Sequence, residues 1–527
     1  MKLRYIILAV SAMTMSSCGD FLEESSQDHD YVRSWNDLNE LLIGDCYMPS
    51  NNSSSFNAFA NPGMFLHLLA DELQEVKEGA GIGGASFDQH EPQYGYIGWQ
   101  QRYGVDENYT KYFQENTAWT TMYKYINVAN NILEAAKELP TAQDEEKAGV
   151  SYVNGQAHFL RAFYLFWLTN TYGQPYSPQT AGTELGVPVK TTKEVEDIIF
   201  QRATVQECYD QIVADLRSAE LEFEASTMIP RKSVFRADIT SVQMLLSRVY
   251  LYMQDWDKAA EYAQKVITAK PALQDLNNTT GDFATKDNPE TIFSMGGDDL
   301  PAFQCNCVQC LKVSDGLFNS YSINDARRDQ WFWEYGAFHG LTKQPFPYAR
   351  YDSKDMTDRS SYWRYWQAPS LQREISSLFW LRTGEAYLIL AEAEAYRGNE
   401  EPARTALNTL RRARFYKGAA DCDVKSEGSR LISDIRNERR IELMGEGHRW
   451  FDLRRYRVCS VQPEKVELTH TYTCYKERGS QEIVETRLFV LEKDDPAWTC
   501  PIPQDVIDFN VGMPNNGNRH KEYTVVK

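Results

Sequence analysis

The sequence predicts a mostly α-helical protein, a tetratricopeptide-like superhelix of paired helices carrying an irregular, aromatic-rich lobe and minor β-hairpins. Three observations predict it. Long segments repeat their apolar residues at helical spacing. Two helix-turn-helix segments, near residues 255 and 399, share one turn pattern. Between them, residues 279–372 lose the helical period and gain Asp, Asn, Gly, Pro and aromatic residues.

The helices are justified in order. In 116–139, Trp119, Met122, Tyr123, Ile126, Ala129, Ile132, Leu133 and Ala136 fall on one face, and Pro140 stops the segment. Residues 145–172 form a longer helix halted by Gly173-Gln174-Pro175. A third spans 204–223, and Asp238 caps a fourth that runs to Met253. Tyr252-Met253-Gln254-Asp255-Trp256-Asp257-Lys258-Ala259 closes that helix and opens the next. Tyr396-Arg397-Gly398-Asn399-Glu400-Glu401-Pro402-Ala403 repeats the arrangement: a Tyr ends one helix, a polar turn follows, and an Ala marks the crowded crossing. This matches a degenerate tetratricopeptide pattern, whose period is about 34 residues. Such pairs stack because neither buries its apolar face alone. The scaffold therefore covers mainly 116–270 and 376–456. The lobe covers mainly 40–112 and 279–372. Residues 457–527 form a C-terminal segment with a hairpin around Glu477-Arg478-Gly479-Ser480.

Composition narrows the function. The 527 residues carry 55 Lys+Arg against 74 Asp+Glu, a net charge of −19. That balance excludes a phosphate-binding face as the main activity, so no nucleic-acid partner is expected. A mean hydropathy of −0.53 excludes a multi-span membrane protein. Aromatic residues are abundant, with 12 Trp, 31 Tyr and 24 Phe. They fill a core or line a surface that grips something flat.

The start of the chain sets the compartment. Lys2 and Arg4 precede a short apolar run, Ile6–Met15, and then small residues. A run of about ten residues is too short for a hydrocarbon core of about 30 Å, so residues 1–17 read as a signal peptide. Met15-Ser16-Ser17-Cys18 resembles a bacterial lipobox, which makes Cys18 the lipidation site and 18–30 an acidic tether. Acyl chains on one cysteine (palmitate among them) anchor a protein stably, at about 0.8 kcal/mol per buried methylene. The acidic tether resembles the surface-export signals of some Bacteroidetes lipoproteins.

Cysteine usage is sparse. Cys305-x-Cys307-x2-Cys310 has metal-like spacing but no second ligand pair, and no metal or other cofactor is expected. A loop disulfide with a spare thiol, or simple burial, fits the cluster equally. Cys459, Cys474 and Cys500 offer a further bridge whose connectivity spacing does not fix. The Gly-rich run Gly79–Gly84 lacks the lysine of a phosphate loop and reads as a flexible loop.

A run from Arg436 reads RNERRIELMGEGHRWFDLRRY. It resembles the signature of the SusD/RagB family of outer-membrane lipoproteins. Four further blocks agree in order: AHFLRAFYLFWLTNTY at 157–172, TVQECYDQIVADLRSA at 204–219, Leu245–Ile267, and Pro501-Ile502-Pro503-Gln504-Asp505 with Pro514-Asn515-Asn516-Gly517. Ser314–Asp329 also resembles the family, through Asp325-Ala326-Arg327. The tail departs, with Asn516-Gly517-Asn518 where an Asn-Pro-Gly-Tyr ending is usual. The resemblance covers the mature chain as one domain, 31–527. It implies a lipid-anchored protein on the outer face of the outer membrane, capping a SusC-like TonB-dependent transporter. It implies capture of an oligosaccharide, or in some branches a peptide, and no enzymatic activity. The helices would face the transporter and the lobe would carry the ligand.

A pyranose offers an apolar C–H face to an aromatic ring and a polar rim to Asn, Gln, Asp and Arg. Tyr96, Trp99, Gln100 and Arg102 provide such a set, as do Trp331, Trp333, Trp363 and Trp366. Each of the aromatics among them competes with a reading as core. An open, loop-built site predicts weak affinity in solution. The signature residues Arg436, Glu438, Arg439, Glu442, Glu446, His448, Arg449, Asp452 and Arg454 read as structural. A glycoside hydrolase is the remaining alternative, through Glu442 and Glu446. However, i, i+4 carboxylates lie about 6 Å apart on one helix and do not flank a cleft from opposite walls.

Overall fold

The computed structural model describes residues 32–49, 62–76, 88, 90–194, 198–228, 233–279, 283–296, 311–335, 338–341, 343, 375–376, 378–480, 482–517 and 521–527, with the backbone alone at 333–335 and 338. The leader, Cys18 and the tether, Gly79–Gly84, Cys305, Cys307, Cys310, Trp363 and Trp366 lie outside the described residues.

Among the described residues, nine helices build the scaffold: α1 (Thr117–Ala135), α2 (Asp144–Tyr172), α3 (Val205–Ala225), α4 (Ile239–Met253), α5 (Trp256–Ala269), α6 (Thr383–Tyr396), α7 (Glu400–Arg412), α8 (Gly428–Glu442) and α9 (Arg449–Arg457). Their ends follow local chemistry. Three acidic residues open α2, and capping boxes start α3 at Thr204/Glu207 and α4 at Asp238/Ser241. Each helix from α1 to α7 packs on the next in chain order, and α8 returns against α6 and α7. Helix α2 is buried almost all round from Ala148 onward, which makes it the centre of the main apolar cluster. A smaller cluster forms around Leu388, Leu407 and Leu431 of α6, α7 and α8.

The two turns that look alike in sequence are alike in space. Gln254 and Gly398 both take left-handed backbone, with φ of 64° and 81°. Ala259 and Ala403 are both fully buried at the helix crossing. Trp256 and Tyr396 then meet at 4.5 Å between ring centroids. Helix α5 thus packs on α6 although the lobe separates them in sequence.

The strands are short and antiparallel. β1 (Leu73–Glu75) pairs β3 (Leu311–Val313), β2 (Thr291–Ser294) pairs β6 (Trp380–Arg382), and β4 (Phe332–Tyr335) pairs β5 (Phe338–Leu341). β7 (Leu468–Tyr475) and β8 (Ile483–Leu491) form the hairpin around Gly479, and β9 (Thr524–Val525) adds to β8. The lobe is therefore more regular than its sequence suggests. Ribbons of three or four residues are too short to leave a period-2 signal. The β2–β6 pair joins the chain entering the lobe to the chain leaving it and forms the neck where the lobe meets the scaffold.

Two expectations change. No disulfide joins Cys459, Cys474 and Cys500, whose side chains are all buried. The irregular first part of the lobe, 40–112, contains short helices at Leu66–Leu69 and Tyr94–Ile97, and a further one, Trp35–Leu41, leads into it. No helix among the described residues is long and apolar enough to cross a membrane.

Candidate functional site

Two residue sets drew attention in the sequence, and the structure puts them in different environments. The first is the signature run of α8 and α9. Its charges are buried and mutually neutralised at the neck of the lobe. Glu442 lies among three guanidinium groups: Arg382 at 2.7 Å, Arg327 at 2.6 Å and Arg414 at 2.9 Å. Arg327 also pairs Asp325 at 2.7 Å and Glu438 at 2.6 Å. Arg382 reaches Glu290 at 3.1 Å and Glu446 at 2.9 Å. Gly384 has no side chain because the Arg382–Glu290 pair lies against it; a Cβ there would sit 2.3 Å from Arg382 Nη1. Lys343 of the lobe enters the same lattice, pairing Glu446 and donating to the Glu442 carbonyl at 2.6 Å.

A second cluster adjoins it. Arg439 shares its Nε–H between the two Asp452 oxygens at 3.0 and 2.9 Å, and Arg455 forks onto Glu392 at 2.6 and 2.8 Å. Arg248 forks onto Glu385 at 2.8 and 2.6 Å. Arg436 donates to Tyr396 Oη and the Gln462 carbonyl. Arg449 pairs Asp71 at 2.7 Å, tying α9 to the first part of the lobe. Arg454 donates to the Asn170 and Gly173 carbonyls, capping the C-terminal end of α2.

The electrostatics hold Glu442 charged and His448 neutral, which disfavours acid–base work at either. Burial pushes the Glu442 carboxyl up, and Arg414, Arg382 and Arg327 together hold it well below the usual range. It stays ionised and cannot donate a proton. Burial, reinforced by Arg248 and Arg439, drives His448 well below its ordinary value, so it is neutral. Burial, reinforced by Arg382, lowers Lys343 to about 8, with Glu446 and Glu442 recovering only part of the shift. A cavity beside the lattice, lined by Trp167, Phe451, Arg248 and Glu446, measures about 20 Å³. It is water-sized, whereas ligand pockets run to about 300–1,000 Å³.

The second set is the aromatic group proposed to stack on sugar. Four of its members are core, which corrects the expectation. Trp99 is fully buried, donates its indole N–H to the Leu69 carbonyl at 3.0 Å and stacks on His470 at 4.2 Å. Tyr96 packs between Phe65 and Tyr103 at 5.3 and 4.7 Å. Trp331 is buried against Phe283, with Lys343 Nζ 4.0 Å from its ring centre. Gln100, also fully buried, spends its amide on protein backbone. Each is buried against other parts of the protein, so none offers a face to a ligand. Arg102 is half-buried, paired with Glu115 at 3.0 Å and lying 4.3 Å above the exposed ring of Tyr112. Trp333 is opposite Gly340 in the β4–β5 ribbon. Trp363 and Trp366 lie outside the described residues.

One carboxylate group went unnoticed in the sequence. Glu91, Asp106 and Glu107 bring an oxygen each within 4.8 Å of one another. Lys111 pairs Glu91, and Asp106 accepts from the Thr110 and Lys111 amides at 2.7 and 2.9 Å. Donors of the same loop thus already meet two of the three carboxylates.

The comparisons with known proteins follow this geometry. A family model described as SusD family matches residues 277–518, which contain the lobe's neck and the charge lattice. A second, described as starch-binding associating with outer membrane, matches residues 67–251. The chain belongs to the SusD/RagB family. The second model describes starch-binding proteins that associate with the outer membrane. SusD-like protein P2 of Formosa agariphila is 28% identical over 385 residues, covering 64% of this chain and 71% of that protein. SusD-like protein P38 of the same organism is 23% identical over 400 residues, covering 66% and 72%. Among solved structures, a SusD superfamily protein of Bacteroides thetaiotaomicron superposes with a TM-score of 0.65 at 20% identity, covering 92% of this chain and all of that one. A putative sugar-binding protein of Bacteroides vulgatus gives 0.65 at 21%, covering 93% and 99%. At these identities the structural likeness speaks for the SusD-family fold alone.

Proposed function

We propose that this SusD-family protein is a cell-surface lipoprotein, anchored through Cys18, that captures an oligosaccharide. It delivers that ligand to a SusC-like TonB-dependent transporter in the outer membrane. The observation that carries the reading is the pair of family matches, one of them described as starch-binding, spread over scaffold and lobe alike. The lattice supports a binding role over hydrolysis, because Glu442, one of the two carboxylates a hydrolase would use, is held ionised among three arginines. The solved relative from Bacteroides vulgatus described as sugar-binding points the same way.

The ligand contacts are assigned to the remaining aromatics of the set, Trp333, Trp363 and Trp366, of which Trp333 stands on the β4–β5 ribbon. A flat ring stacked on a pyranose, open to water, predicts micromolar or weaker binding.

The test is a glycan array probed with the mature protein, followed by calorimetry on any hit. Trp363→Ala and Trp366→Ala are expected to weaken the hit at least tenfold without moving the melting temperature. Trp99→Ala is expected to do the reverse. A peptide panel runs beside it; hits on peptides alone transfer the protein to the peptide-capturing reading. Hydrolysis of an arrayed glycan would sink the binding-only assignment.

A further inference from the structure

The fate of Gln100 reveals a second recognition site, independent of the glycan reading. Its side chain is fully buried, and its amide makes four hydrogen bonds. Gln100 Nε2 donates to the Gly98 carbonyl at 3.1 Å and the Lys521 carbonyl at 3.2 Å. Gln100 Oε1 accepts from Tyr109 Oη and from the Lys521 N–H at 3.2 Å. Gln100 therefore pairs with Lys521 as a neighbouring β-strand would, reading both of its backbone groups. Trp99, beside it, takes φ of 47°, a costly backbone for a bulky residue.

The rest of the 521–527 segment is gripped residue by residue. Lys521 Nζ pairs Asp495, whose side chain is 9% exposed. The Tyr523 ring packs on Phe489 at 5.7 Å, with the Arg487 guanidinium 4.3 Å from its centre. Thr524 and Val525 pair with Leu488 and Arg487 of β8. The Val526 N–H donates to the Thr486 carbonyl at 2.9 Å, and the Thr486 N–H to the Lys527 carbonyl at 3.1 Å. Beyond these contacts the segment faces solvent, with residues 522–527 exposed. It makes the contacts of a bound peptide more than those of a core strand. Lys521 and Tyr523, two residues apart, both set their side chains against the protein.

We propose that the edge of β8, with Gln100, Asp495, Arg487 and Phe489, is a binding site for an extended peptide. Its ligand has the pattern Lys-x-Tyr followed by two strand-forming residues. The chain's own 521–527 segment occupies this site as a strap. Main-chain pairing supplies affinity, and the Asp495 and Arg487/Phe489 contacts supply specificity, as in strand addition to a sheet edge. Tethering keeps the strap in place, because a short linker gives an effective concentration of the order of millimolar. An outside peptide therefore enters only after the strap is cut or released.

The full chain tests this with a protease recognition sequence inserted after Gly517 and cleaved after folding. Native mass spectrometry is expected to show the cut segment retained. An excess of labelled Lys521–Lys527 peptide should exchange into the site saturably. The same peptide carrying Lys521→Ala or Tyr523→Ala should compete at least tenfold less well. Immediate loss of the cut segment, or equal competition by all three peptides, overturns the proposal. A second measurement stands on the uncut chain should the insertion impair folding. There Lys521→Ala and Tyr523→Ala are expected to speed hydrogen exchange at the Val526 and Thr486 amides while leaving α2 unchanged. Unchanged exchange at both amides overturns it as well.

Discussion

The signature run of α8 and α9 and the aromatic run around Trp99 are both buried, and they are buried for opposite reasons. The arginines and glutamates of α8 and α9 are costly to desolvate and are there because each finds a fork of opposite charge. The aromatics at 94–103 are inexpensive to bury and fill the space between the Leu66–Leu69 helix and the β7–β8 hairpin. A dense charge pattern on a helix announces its partners, since a buried charge cannot lack them. An aromatic announces only that it wants a flat neighbour, and a core serves as well as a sugar.

Removing one member from each region tests the contrast. Glu442→Ala leaves three buried arginines short of their shared carboxylate. The expected loss is the largest here, about 3–5 kcal/mol, read from denaturant unfolding. A loss under about 1 kcal/mol would show that the lattice is not what holds the neck. Trp99→Ala should cost about 3 kcal/mol through the cavity it leaves under His470, with glycan binding unchanged once the protein is refolded. Lost binding with an unaltered melting temperature would return Trp99 to the ligand face.

Legibility follows the same division. The main helix boundaries stand within a residue or two of the sequence reading, because α2, α3 and α4 carry caps and stops as well as a period. The repeated turn was legible since Gln254 and Gly398 sit at equivalent places after a Tyr. The β2–β6 neck was not. Its strands are short and far apart in sequence, and only the pairing of Arg382 with Glu290 and Glu442 reveals why they meet. The environments of Tyr96, Trp99 and Trp331 were equally illegible, because burial depends on residues such as His470 and Lys343 that are distant along the chain. Gln100 lay in a plausible polar rim, yet its partner is Lys521, at the other end of the molecule.

Acid separates the two regions next. Burial pushes Glu392 and Asp71 up, but Arg455 on the first and Arg449 on the second more than offset it, leaving both at about 2. The ordinary values of these groups are 4.5 and 3.8, so the unfolded chain binds the proton first as pH falls. The stability these pairs contribute is complete above about pH 5 and is lost progressively toward pH 2. For the fully buried Glu392 the amount is about 3 kcal/mol. Glu392→Gln should flatten the unfolding free energy between pH 4.5 and 2 relative to the parent. Trp99→Ala should lower the whole curve without changing its slope. Equal slopes in Glu392→Gln and the parent would contradict the pairing.

The smallest effect sharpens the comparison most. Arg102 belongs to the aromatic run by sequence but to neither region by environment. It is half-buried, paired with Glu115 and stacked over Tyr112, which is itself exposed. Such a pair is screened by water and contributes about 0–1 kcal/mol. Arg102→Ala should therefore shift stability by less than about 1 kcal/mol, and by less still in high salt. Glu115 limits this, because it also accepts from the Gly104 and Gln504 amides at 2.9 and 3.2 Å and keeps those bonds when Arg102 is gone. A loss of several kcal/mol would mean that Arg102 is held as tightly as the arginines of the lattice. The run around Trp99 would then owe its position to charge as well as to its rings.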